Sequence, residues 1–320
     1  MSETNPPLLL QGARAIARRA IEKAEGLGLS GTFVVVDDAG IIVTASRMDG
    51  AGSLSYPISR AKAYGTAVQR MPSAAFAELM AHASGGIVSA FQRLPRDPVF
   101  PGPGAQPIMN KGRLVGAVST GMGVPPFVKF PHLDPMKLVV DGEPANAEDL
   151  CISYALRKPY SPQHGDDLKR WIDAYGKAPE GSGTGSSDAP KAIKQLQLDA
   201  AIRLCDAAIA EAKRRKVLVS VVVVDHSADL VQVDRMDDAP PMTPDAAEAV
   251  AVTAVNFRAP SASAVKYPDL NGLARVTPFK YLPVPGGLPL IGNSRVTGGI
   301  GVSGAEPEEC EAIARVAIGS

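Results

Sequence analysis

Apolar residues recur at Ala13, Ile16, Ala17, Ala20, Ile21 and Ala24, a three-and-four spacing that predicts an amphipathic helix near the start of the chain. The pattern then changes period. FVVVD from Phe33 and IIVTAS from Ile41 are near-continuous apolar, β-branched runs separated by Asp38-Ala39-Gly40, which predicts a hairpin covered on both faces. A helix is expected from Ser55-Tyr56-Pro57, where proline suits the first helical turn, and another from Pro72-Ser73. A strand pair turning at Asn110-Lys111-Gly112 and a closing helix over Asn146 to Leu156 complete the series. The predicted order is helix, hairpin, helices, hairpin, helix, which describes a layered α/β domain.

The series occurs twice. VVVDDAGIIVTASRMDGA from Val34 matches VVVDHSADLVQVDRMDDA from Val222, an offset of 188 residues that also carries Ala13, Ala20 and Ile21 onto Ala201, Ala208 and Ile209 and Pro72-Ser73 onto Pro260-Ser261. Further on, PIMNKGRLVGAVSTG from Pro107 meets PLIGNSRVTGGIGVSG from Pro289 at an offset of 182, with the second turn at Gly292-Asn293-Ser294, and PEECEAIARVAI supplies the second closing helix. The first copy has gained Val124 to Ala145, a segment apolar enough to pack over its domain or against a neighbour. The expected organisation is a first domain over residues 8–157 with its insertion at 124–145, a linker over 158–191 with a short helix around Trp171, and a second domain over 192–320.

Composition narrows the classes of partner. Lys plus Arg and Asp plus Glu balance at 33 each, so no global field attracts a nucleic-acid backbone or an anionic membrane. The first residues, MSETNPPLLLQGARAIARRA, show no secretory leader, and no apolar run approaches a membrane span, so a soluble cytoplasmic protein is expected. Cys151, Cys205 and Cys310 lack zinc-site spacing and read as buried thiols. The four histidines, His82, His132, His164 and His226, form no metal-ligating group, and Glu306 with Glu309 reads as helix N-terminal acid, so no metal site is expected.

The combined motifs, VVVDxxGxxVxxxRMDGA, a following Lys-Ala helix and a late GxPL…VxGxIGVSG strand, resemble the GlcG/HbpS-like haem-binding family, whose domain also occurs fused to corrinoid adenosyltransferases. The resemblance implies two profilin-like domains of the α/β (α+β) class. Each would be a five-stranded antiparallel sheet with helices on both faces, together forming a pseudo-dimer. It also implies assembly into homo-oligomers and a small-molecule ligand. Haem is a possible cofactor by resemblance alone, and nothing in the sequence requires one.

Several residues carry candidate chemistry. Arg47 and Asp49 end the second strand of the first copy and Arg235 and Asp237 that of the second; each Arg offers a planar donor to a carboxylate, or pairs structurally with an Asp at the turn. Lys62 resembles the lysine of the family's Lys-Ala helix and is replaced by Val250 in the second copy, while Tyr64 on the same helix is a candidate proton donor. The second copy keeps Gly286, Gly287, Ser303 and Gly304, whose backbone could cradle an anion or could instead serve a tight turn and a close helix–sheet contact.

The leading expectation is a cofactor-independent lyase, isomerase or tautomerase acting on a carboxylate- or carbonyl-bearing metabolite. Lys62, Tyr64 and Asp49 would be catalytic, Arg47, Arg235, Asp237 and the late glycines and serine would bind substrate, and one composite site would face the second copy's glycine loops. The alternatives are a haem- or corrinoid-binding or haem-degrading protein and a non-catalytic assembly subunit.

Overall fold

The computed structural model describes residues 8–85, 95, 97–122, 139–140, 143–144, 146–160, 196–268, 270–276, 279–292 and 295–319. The expected helix around Trp171 and most of the 124–145 insertion lie outside them. The described residues divide into two compact units, Met1–Ile41 with Gly50–Ala192, and Ile42–Asp49 with Ile193–Ser320.

The first unit contains α1 (Leu10–Gly26), β1 (Thr32–Asp37), α2 (Ser55–Gln69), α3 (Ser73–Ala81), β3 (Ala105–Asn110), β4 (Arg113–Gly121) and α4 (Ala147–Ala155). Its strands run antiparallel in the order β3, β4, β1, with Thr32 opposite Gly121 and Ala105 opposite Ser119. Helix α2 lies on one face. A Cβ at Gly121 would sit 2.3 Å from the Ser55 carbonyl oxygen, so helix backbone touches strand backbone at a point where only glycine fits. The hydroxyl pairs Thr32–Ser55 (2.7 Å) and Ser59–Ser119 (2.8 Å) bridge the same two layers. Alternate β4 positions face the other way, where α1 packs on α4 and β1. Phe33, Val34, Val35 and Val36 are fully buried, which explains the unbroken apolarity of β1. From the insertion, Val139–Val140 (β5) and Glu143–Pro144 (β6) pair as a two-stranded ladder.

The second unit holds β2 (Ile42–Arg47), α5 (Leu198–Arg215), β7 (Ser220–Asp225), β8 (Leu230–Arg235), α6 (Thr243–Phe257), a 3₁₀ turn (Ser261–Lys266), α7 (Leu270–Val276), β9 (Gly287–Gly292), β10 (Arg295–Ser303) and α8 (Pro307–Ile318). Its five strands of the sheet run antiparallel in the order β2, β8, β7, β10, β9. The fifth strand comes from the first repeat: β2 pairs with β8 through Thr44–Asp234, Ala45–Val233 and Ser46–Gln232. The compact unit therefore does not follow the repeat boundary. The pairing carries its own side-chain bonds, Thr44 Oγ1 to Asp234 at 2.8 Å and Ser46 Oγ to Gln232 at 2.7 Å, all four residues being buried. Each such bond contributes on the order of 1 kcal/mol while made and costs more when a buried partner is stranded.

Repeat-equivalent contacts recur with exchanged residues. Ser220 and Thr243 form the same hydroxyl pair (2.6 Å) that Thr32 and Ser55 form in the first unit. Asp37 Oδ1 accepts from the amides of Ala39 and Ile41, and Asp225 Oδ1 from those of Ser227 and Asp229, so both first-hairpin turns close on an aspartate. Helices α2 and α6 both end on an arginine in the left-handed region, Arg70 (φ 58°) and Arg258 (φ 53°), two residues before a proline. One element differs. Where the first repeat forms α3, the second forms only the 3₁₀ turn, because Pro268 disfavours helical backbone at Tyr267, which is extended (φ −72°, ψ 127°). Among the described residues no helix is long and apolar enough to cross a membrane.

Cys151, Cys205 and Cys310 are all buried. Burial pushes the Cys151 thiol from 9.0 up to about 12 and also raises Cys310. Since only the thiolate is nucleophilic, a disulfide-exchange reagent at pH 8 is expected to leave Cys151 and Cys310 unreacted in the folded protein and to titrate all three thiols in denaturant. Prompt native-state labelling of Cys151 would contradict this packing.

Candidate functional site

Lys62 is the most unusual charge in the first unit. It sits mid-helix on α2, only 3% exposed, and its Nζ donates to Glu148 Oε2 at 2.6 Å and to the Thr120 carbonyl at 3.1 Å, with the Phe100 ring centroid 5.8 Å away. Glu148 stands in the first turn of α4, and its other oxygen accepts the Met122 amide at 2.9 Å. Gly104, with φ +98°, clears the space beside it; a Cβ there would lie 2.7 Å from Glu148. A buried lysine is tolerated only when paired, so Glu148 is the residue that makes Lys62 possible. The sequence reading missed Glu148. The one available signal was an acidic residue just after Asn146, whose side chain accepts from the amides of Glu148 and Asp149 and so caps α4.

Tyr64 follows Lys62 by two residues and therefore points to a different side of α2. It is buried against the first hairpin turn, where a Cβ at Gly40 (φ +79°) would come within 2.5 Å of its ring. The two candidate acid/base groups thus lie on different sides of α2.

In the second unit, the Arg47 guanidinium is buried and committed. Its Nη2 pairs with Asp225 Oδ2 at 2.5 Å and its Nε donates to the Leu230 carbonyl at 2.6 Å. Arg235 donates from Nε to the Ile42 carbonyl at 3.0 Å and from Nη1 to the Ala239 carbonyl at 3.1 Å. The two arginines and the two carbonyls are repeat-equivalent, so each strand-ending arginine braces the start of the strand paired with its own. Of the alternatives the sequence left open, structural pairing is the one these contacts fit, and Asp225 rather than Asp49 is Arg47's carboxylate partner. Asp49 is exposed, and its Oδ1 accepts the Leu198 amide at 3.1 Å at the start of α5. Asp237 is exposed in the turn after β8.

The late glycines are filled by backbone. A Cβ at Gly287 would sit 2.1 Å from the Val250 carbonyl oxygen, at Gly301 2.0 Å from that of Ala247, and at Gly304 2.3 Å from that of Leu218. Gly286 has φ +132° and accepts the Val302 amide at 2.9 Å, while the Gly287 amide donates to Ser261 Oγ at 2.9 Å. Ser303 ends β10 opposite Ser220. A close helix–sheet contact thus fits Gly287 and Gly301, a positive-φ turn packed on backbone fits Gly286 and Gly304, and the Gly287 amide is already satisfied. Lys62 finds its contacts within the first unit and Gly287 within the second.

Two histidines are described. His82 is exposed at the end of α3. His226 is half-buried in the β7–β8 turn; its Nε2 lies 3.3 Å from Ser227 Oγ, and its Nδ1 is buried with no hydrogen-bond partner among the described residues. Among the described residues no group of three or more His, Cys, Asp or Glu could hold a metal ion.

Comparison with known proteins identifies the relatives. A family model described as haem degrading protein HbpS-like matches residues 8–123 and again 196–319. The chain belongs to the HbpS-like family. Similar solved structures include a double mutant of HbpS from Streptomyces reticuli, at 29% identity, 44% of this chain, 97% of that one and a TM-score of 0.40. They also include the ORFY protein of Klebsiella pneumoniae, at 29% identity, 42% and 96% coverage and a TM-score of 0.38, and a PduOC:haem complex at 30%, 39%, 94% and 0.36. No curated protein matches the chain. Two matches to one HbpS-like model agree with the tandem repeat read from the sequence and with its resemblance.

Replacing Arg47 by Ala strands the Asp225 carboxylate in the core and is expected to cost about 3–5 kcal/mol in denaturant unfolding. Arg47→Met with Asp225→Leu is expected to recover most of it, because an apolar pair of similar volume leaves no buried charge unpaired. A loss under about 1 kcal/mol for Arg47→Ala would show that the guanidinium is not part of the folded core.

Proposed function

We propose that this protein binds haem or a related tetrapyrrole, as ligand or as substrate for degradation. The observation that carries this reading is the match of both repeats to a family model described as haem degrading. It favours the alternative set out from the sequence over a cofactor-independent lyase or isomerase, for which the match offers nothing. The side chains point the same way. Lys62, expected as an acid or base, is neutralised by Glu148, and Arg47, expected as an anion anchor, is taken up by Asp225.

Haem requires an axial donor, for which an accessible imidazole nitrogen is well suited. His226 stands in a turn held by Asp225 Oδ1 with its Nδ1 buried and its Nε2 on the exposed side, so we assign it as the iron ligand through Nε2, with His82 as the exposed control. We also propose a homo-oligomer. Leu54 and Met242 occupy equivalent places before α2 and α6 and are 66% and 70% exposed, a repeated apolar surface of the kind subunit contacts cover.

Titration with haemin is expected to give a saturable Soret shift. His226→Ala should move the band or weaken binding roughly tenfold or more, the scale of losing one coordinate bond to iron, while His82→Ala leaves both unchanged. A flat titration of the unaltered protein would sink the haem reading. A shift indifferent to His226→Ala would remove only the ligand assignment.

A further inference from the structure

The repeats solve one packing problem in two ways. Beside Gly104 in the first unit stand Glu148 and, through it, Lys62. Beside Gly286, the equivalent glycine, a Cβ would meet Cys310 Cβ at 3.5 Å and Val250 Cγ2 at 3.7 Å, an apolar filling at the same point of the fold. Val250 is the counterpart of Lys62. The second unit shows that the fold closes here without charge, and a buried ion pair is in general no more stabilising than an apolar pair of like volume. The ion pair in the first unit therefore serves something the second unit lacks.

The difference between the copies at this point is the insertion. Residue 122 precedes it and Asn146 follows it, and both are tied to Glu148. The Met122 amide donates to Glu148 Oε1, and the Asn146 side chain accepts the Glu148 and Asp149 amides while the Asn146 amide donates to the Tyr160 hydroxyl at 2.8 Å. In the second repeat β10 passes through Gly304, with φ +132°, straight into α8 at Pro307. No span has to be held there. We infer that Lys62–Glu148 is a clamp on the two ends of the insertion: the lysine holds the carboxylate in place, and the carboxylate ties the Met122 amide, where the chain departs, to the first turn of α4, where it returns. Lys62 is then a positioning residue, and its replacement in the second repeat follows from the lack of an insertion there rather than from the decay of a second site.

The test transplants the second repeat's chemistry into the full chain, as Lys62→Val and as Lys62→Val with Glu148→Cys. The single variant leaves a buried carboxylate unpaired and is expected to lower the thermal midpoint. The double variant is expected to return the midpoint most of the way to that of the unaltered protein while the Met122 amide still exchanges roughly tenfold or more faster with deuterated solvent, since its acceptor is gone. Stability recovered without protection of Met122 is the signature of a clamp. Recovery of both, or of neither, overturns the inference: the first would mean that Met122 is held by something else, the second that the pair is needed by the unit itself. Haemin binding, if present, is a separate readout and bears on the other proposal alone.

Discussion

Everything else in these two units is arranged around a helix laid on a strand with almost nothing between them. Gly121 lets the Ser55 carbonyl approach β4, and Gly301 lets the Ala247 carbonyl approach β10. At such contacts a methyl group would be too large, so the spacing of the layers is set by backbone rather than by side chains. The hydroxyl pairs Thr32–Ser55 and Ser220–Thr243 then satisfy polar groups that this closeness leaves no room to hydrate. With the layers so near, any charge at the margin must be neutralised locally. Lys62 and Arg47 each have a carboxylate within hydrogen-bonding distance.

The two buried pairs do different things. Arg47–Asp225 joins a strand from the first repeat to the turn of the second and has an arginine counterpart, Arg235, that braces the equivalent carbonyl. It belongs to the shared architecture. Lys62–Glu148 has no counterpart, and its place in the second unit is taken by Val250 and Cys310. Divergence between copies is therefore informative only after the partner is known. Loss of a lysine looks like loss of a catalytic group as long as its glutamate partner, remote in the chain, is out of view.

Glycine carries the opposite lesson. Gly286, Gly287 and Gly304 are retained in the second copy, a pattern that fits an anion cradle as well as a packing contact. Carbonyl oxygens within 2.1 to 2.7 Å of the positions a Cβ would take fit the packing contact, since that space is already occupied by the protein.

The element order, the tandem repeat and the family were legible in the sequence, because each rests on local periodicity and on residues close in the chain: Ala13 to Ala24 for a helix, Phe33 to Val36 for a buried strand, Asp38-Ala39-Gly40 for a turn. The partners were not. Asp49, two residues from Arg47, was the natural candidate to hold it, yet Asp225 does so from far along the chain while Asp49 reaches the start of α5. Glu148 is likewise remote from Lys62 in sequence, and β2 belongs to one repeat yet completes the sheet of the other unit. Which polar groups pair depends on layers brought together by burying apolar faces, and that burial is indifferent to sequence separation. The sequence by itself determined what the chain builds and how many times. Only the tertiary structure decided which charges would meet, because a buried charge must be paired by whatever carboxylate the packing puts within reach.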